Sequence, residues 1–161
     1  MNLLQGLLLG VHILGATIWV GGSVVLGMAT MVLSRDREGG AVRIPELGRR
    51  VVPLLWTALA ATVATGLYNL TWYLPPGTGW TSWIGLSEGP ILLAKLLLVS
   101  VMVTAAALHS FVLGPLLRSL RKRGGPPMRL RRLSRWNRFL ALLATVAGIV
   151  VIFLAALLGS S

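Results

Sequence analysis

The 161-residue chain contains no cysteine. That absence excludes disulfides, thiolate zinc sites, iron–sulfur clusters and thiol catalysis, and leaves His, Met, carboxylate or backbone to hold any metal or cofactor. Charge is scarce as well: charged side chains make up 12% of the chain, against about 25% in soluble domains, and only four residues are acidic. With 55% hydrophobic residues and a mean hydropathy of +0.81, the composition argues against a water-soluble globule. The length suits a single domain over 1–161 and leaves no room for a separate large soluble module.

A net charge of +11 would suggest nucleic acid if the charges lined a groove. Fourteen of the fifteen basic residues instead lie in two blocks, Arg35 to Arg50 and Arg118 to Arg138, with apolar runs between and outside them. That pattern describes membrane topology, and nucleic acid is not expected as a partner.

About 20 helical residues cross the ~30 Å hydrocarbon core. Four runs reach that length: Leu3 to Leu33, Val51 to Leu74, Pro90 to Leu117 and Phe139 to Leu158. They predict an all-α fold, an integral membrane four-helix bundle with helices at about 3–33, 51–74, 90–117 and 139–158. The first run has no basic segment before it and is about twice the length of a signal-peptide core, so it is read as a retained span. Lys and Arg concentrate in cytoplasmic loops, so 34–50 and 118–138 are expected to be cytoplasmic loops of a multi-pass plasma (inner) membrane protein, with both termini outside. The stretch WYLPPGTGWTSW at 72–83 would form the outer cap. Its Trp72, Tyr73, Trp80 and Trp83 would sit at headgroup level, and Pro75 and Pro76 would end the second helix. Gly15, Gly21, Gly22 and Gly27 in the first helix and Ala105, Ala106 and Ala107 in the third suit close helix packing, and would equally leave room for a flat cofactor.

Polar residues inside the runs are the functional candidates. Both histidines, His12 and His109, fall in apolar segments, where an imidazole needs a hydrogen bond or a ligand. A bond to a helix carbonyl or to Ser or Thr is the structural reading, and metal or haem ligation the functional one. Lys95, the one basic residue outside the two blocks, either snorkels to the headgroups or holds an anion such as a porphyrin propionate or Glu88. At 1.5 Å per residue, His12 comes level with Lys95, while His109 lies about 20 Å away along the membrane normal. The two histidines then cannot share one iron within a subunit. Met28 and Met31, one turn apart, fall near the level of His109, and thioethers with imidazole suit Cu(I).

Helix one reads HILGATIWVGG, with His12, Gly15, Trp19 and Gly22 in the spacing H-x-x-G-x-x-x-W-x-x-G. This resembles the first helix of the HemJ-type protoporphyrinogen oxidases. The third run begins GPILLAKLLLV and ends LGPLLRSL, and RRLSRWNRFLALLATVAGIVV follows the second turn; these resemble the CopD copper-resistance domain. The resemblance implies a four-helix inner-membrane bundle in which His12 corresponds to a haem-ligating histidine and Lys95 to a lysine of the third helix. Three positions depart from the HemJ pattern. Its arginine in helix one is Met28 here, its helix-three histidine falls at Ala106, and its Asn-Glu pair is Asn137–Arg138, which counts against protoporphyrinogen oxidation.

Three functions follow. The first is a haem-b-binding redox or electron-transfer protein, a membrane oxidoreductase if it has a substrate. In it His12 is an axial ligand, Gly15 admits the ring, Trp19 packs on it, Lys95 meets a propionate and His109 serves a second haem. The second is copper uptake, with His12 receiving the ion, Met102 at mid-depth, and Met28, Met31 and His109 releasing it. The third is a non-catalytic subunit of a larger membrane complex. Lipids, a redox partner and further copies of the chain are the corresponding partners.

Overall fold

The computed structural model describes residues 2–33, 40–73, 85 and 89–159, with side chains described except at 40–45, 73 and 157–159. These residues are helical almost throughout, and no strand occurs among them. Helix α1 spans Leu3–Leu33, α2 Gly40–Leu70, α3 Gly89–Ala107, α4 Gly114–Lys122 and α5 Pro127–Gly159. A 3-10 turn, Thr71–Tyr73, follows α2, and a π-helical segment, Leu108–Leu113, joins α3 to α4. Four stretches are long and apolar enough to cross a membrane: Leu3–Leu33, Glu46–Leu70, Gly89–Lys122 and Pro127–Ala156. The all-α class with four spans expected from the sequence is the one observed. The chain divides into two compact units, residues 1–86 and 87–161.

In the first unit α1 and α2 run antiparallel. His12, Gly15, Trp19 and Gly22 alternate at spacings of three and four, which puts them on one stripe of α1. That stripe faces α2. A methyl group added at Gly15 would lie 2.4 Å from Thr62 Oγ1 and 2.9 Å from the Ala58 carbonyl, and one at Gly22 would lie 2.5 Å from Leu55 Cδ2. The helices come this close because neither residue has a Cβ, and in lipid such packing, not a hydrophobic force, holds spans together. Trp19, Leu55, Ala58 and Leu59 are the buried apolar residues of this unit among those described. Gly21 and Gly27 face open space, so the seam uses two of the four glycines.

In the second unit α4 ends in a Schellman cap. Gly124 takes the left-handed conformation at φ 65°, and the N–H groups of Gly125 and Gly124 bond the carbonyls of Leu120 (2.9 Å) and Arg121 (3.4 Å). Pro127 then opens α5, where its missing N–H would have had no helical partner. Ser100, Val101, Thr104, Ala105 and Leu108 share a cleft with Leu140 and Leu143, while His109, further along the rod, meets Asn137, earlier on α5, so α5 returns antiparallel to α3. The buried small residues of this unit among those described are Gly89, Ala105 and Ala106 on α3 and Ala144 and Ala147 on α5.

Helix ends depart from expectation at the basic blocks. The second helix starts at Gly40, not 51, and the last at Pro127, not 139, so much of 34–50 and 118–138 is helix, not loop. Arginine is a strong helix former, and neither Pro nor Gly interrupts 128–138. On the α2 extension Glu46 pairs with Arg49 and Arg50 one turn on. Hydropathy thus marks where a helix leaves hydrocarbon, not where it ends. Residues 34–39, Pro75, Pro76, Trp80, Trp83 and Glu88 lie outside the described residues. Trp72 meets Tyr68 edge to face at 5.7 Å.

Candidate functional site

His12 lies one turn before Gly15 on the α1 stripe. Its Nδ1 is 2.8 Å from the Thr62 carbonyl and 3.3 Å from Thr65 Oγ1. The Thr65 hydroxyl donates its own proton to the Ala61 carbonyl at 2.6 Å, so both neighbours of Nδ1 accept. The proton of the neutral ring therefore sits on Nδ1 and the lone pair on Nε2. Gly66 makes room for the ring, since a methyl group there would lie 2.8 Å from His12 Cε1 and 3.3 Å from Nδ1.

His109 lies in the π-helical segment. The Gly114 N–H bonds the His109 carbonyl five residues back, in place of the usual four. Pro115 supplies the cause: it has no N–H for the Phe111 carbonyl, and its ring would crowd that carbonyl in a regular helix. Gly114 fits the wide turn because a Cβ there would stand 3.1 Å from the His109 carbonyl. In this setting His109 reaches α5, with Nδ1 3.0 Å from the Asn137 carbonyl. A carbonyl only accepts, so Nδ1 carries the proton here as well. The Asn137 Oδ1 atom is buried without a hydrogen-bond partner.

Each unit thus uses one device: an imidazole on α1, or on the π segment after α3, donates Nδ1–H to a main-chain carbonyl of the returning helix, α2 or α5, which orients the ring and leaves the lone pair on Nε2. Metal-ligating histidines are oriented in this way, and neutral imidazole suits copper, zinc and iron. No cluster of three or more His, Cys, Asp or Glu side chains occurs among the described residues. Each hairpin contributes one imidazole of its own, and thioether, backbone and water are the further donors open to an ion there.

The other sequence candidates separate. The bare face of Gly15, expected to admit a flat ring, is filled by Thr62 and Ala58, and Trp19 is buried on the same stripe. Met28 and Met31 are exposed, at 63% and 71%. Met102 is 5% exposed and lies two turns before His109 on the same rod. Lys95 is half-buried on α3. His12, Gly15 and Trp19 belong to the first unit, and Lys95 and His109 to the second. Sequence reasoning missed Thr62, Thr65, Gly66 and Asn137 as partners. Two signals were present: a Thr-x-x-Thr-Gly run inside an apolar span and a Gly-Pro pair just after His109.

Four apolar spans, with a backbone-tethered imidazole in each hairpin, define a multi-pass helical membrane protein. Residues 46–158, well over half of the chain, match the family model for copper resistance protein D (CopD), and the chain belongs to that family. The matched region holds Lys95, Met102, His109 and Asn137, while His12, Gly15 and Trp19 precede it. No curated protein and no solved structure is significantly similar.

Proposed function

We propose that this protein handles copper in the membrane as cargo, with His109 as its principal contact and His12 as a second. The reading rests above all on the His109 imidazole, inside the CopD-matched region, whose Nδ1 is tied to the Asn137 carbonyl so that Nε2 carries the lone pair. The buried Met102 thioether two turns away supplies a soft donor of the type Cu(I) prefers. Sites of few ligands suit an ion that must leave again, because passage requires binding that is favourable but not tight.

The test is Cu(I) titration of the detergent-purified protein against a competing chelator. His109→Ala should lose at least about tenfold in affinity, the lower range for disturbing a metal site, and overexpression of the wild-type chain should change cellular copper. Equal affinity of variant and wild type, with unchanged cellular copper, would remove the proposal.

Haem b is the second reading, with one-electron transfer as its chemistry. Its support is that a single imidazole per hairpin is sufficient for an axial ligand, because the porphyrin supplies the other four nitrogens. The glycine cradle first expected for it does not fit, since α2 fills the Gly15 face. A Soret band in the purified, dithionite-reduced protein that His12→Ala or His109→Ala abolishes would favour haem over copper.

A further inference from the structure

At the end of the second unit nearest its α4–α5 turn, Leu113, Arg129, Arg132, Leu133 and Trp136 line a cleft of about 440 Å³. Two kinds of surface meet there. Arg129 and Arg132 stand one turn apart on α5, and Leu113, Leu133 and Trp136 supply the apolar wall. From residue 89 to the end the sequence has ten Lys or Arg and no Asp or Glu, so α3, α4 and α5 offer these arginines no carboxylate side chain. Trp136 packs edge to face on Phe139 at 5.8 Å, where the basic segment gives way to the apolar span, the depth at which aromatic side chains mark the membrane interface.

We propose that this cleft binds one anionic phospholipid, its phosphate held by Arg129 and Arg132 and the start of its acyl chains laid against Leu113, Leu133 and Trp136. Guanidinium groups recognise phosphate through paired N–H donors, and a basic pocket at the edge of a span suits an anionic headgroup. The apolar wall commits the site to a lipid over free phosphate, which would leave that wall exposed to water.

The experiment is native mass spectrometry of the full chain in neutral detergent, with phosphatidylglycerol or phosphatidylcholine added. One phosphatidylglycerol should be retained per chain in preference to phosphatidylcholine. R129Q/R132Q should bind it about 30-fold more weakly, from roughly tenfold per 1.4 kcal/mol and about 1 kcal/mol per basic residue near the headgroups. R121Q/R123Q, which removes the same charge elsewhere on this basic segment, should retain the lipid. Equal retention of phosphatidylcholine, or equal loss in the two double variants, would overturn the site, the latter by showing only diffuse charge attraction. Displacement of the lipid by millimolar inorganic phosphate would overturn the assignment to a lipid.

Discussion

At the residue scale, the same amino acid does different work on α1 and on α2. Gly66 leaves the space that the His12 ring occupies, whereas Gly21 looks onto nothing within 4 Å. Gly66→Ala would put a methyl group 2.8 Å from His12 Cε1, on the edge of a ring already tied to Thr62 and Thr65. The ring must shift or the helices must part, and overpacking of this kind costs about 1–3 kcal/mol. Gly21→Ala should instead be neutral or gain up to about 1 kcal/mol from helix propensity. Thermal unfolding in detergent, followed by circular dichroism, checks the pair: equal behaviour of the two variants would mean that the Gly66 contact carries no weight.

Among the elements, the rod of α3, the π segment and α4 is the one whose geometry reaches the candidate site. A regular helix adds 100° per residue, so absorbing one extra residue ahead of Pro115 re-aims the side chains of that turn, and His109 meets the Asn137 carbonyl from there. Pro115→Ala restores the missing N–H and removes the ring that opposes a regular turn. The expected result is a helix that relaxes toward α geometry, loss of the His109–Asn137 bond, and Cu(I) affinity lowered about 10- to 100-fold, the usual cost of losing an outer-shell partner. Competition titration measures this. Wild-type affinity together with an unchanged His109 imidazole ¹⁵N resonance would show that the proline does not position the ring.

For the whole molecule, the testable quantity is sidedness. Fourteen of the fifteen basic residues fall between apolar runs one and two or between apolar runs three and four, and the positive-inside rule predicts that these two segments are cytoplasmic. Because the chain has no cysteine, single cysteines report without background. A cysteine replacing Lys122 should react with a membrane-impermeant maleimide only after cells are opened, and one replacing Asn2 should react in intact cells. The reverse labelling pattern would invert the topology.

Much of this architecture was legible in the chain itself. Four apolar runs, absent cysteine and two basic blocks determined an all-α membrane protein with four spans, because hydropathy and length are local properties that the bilayer reads directly. The two histidines stood out for the same reason, as polar rings in hydrocarbon. Their partners did not, because Thr62 is 50 residues from His12 and Asn137 is 28 from His109, and both are met through main-chain carbonyls that no side-chain motif announces. The H-x-x-G-x-x-x-W-x-x-G spacing resembled a cofactor motif, yet three-and-four spacing is also that of a helix seam, and only the register of α2 against α1 decided that Gly15 serves packing. The extension of α2 and α5 into the basic blocks was likewise decided by the folded chain: arginine favours helix with or without lipid around it, so the end of the apolar run and the end of the helix need not coincide.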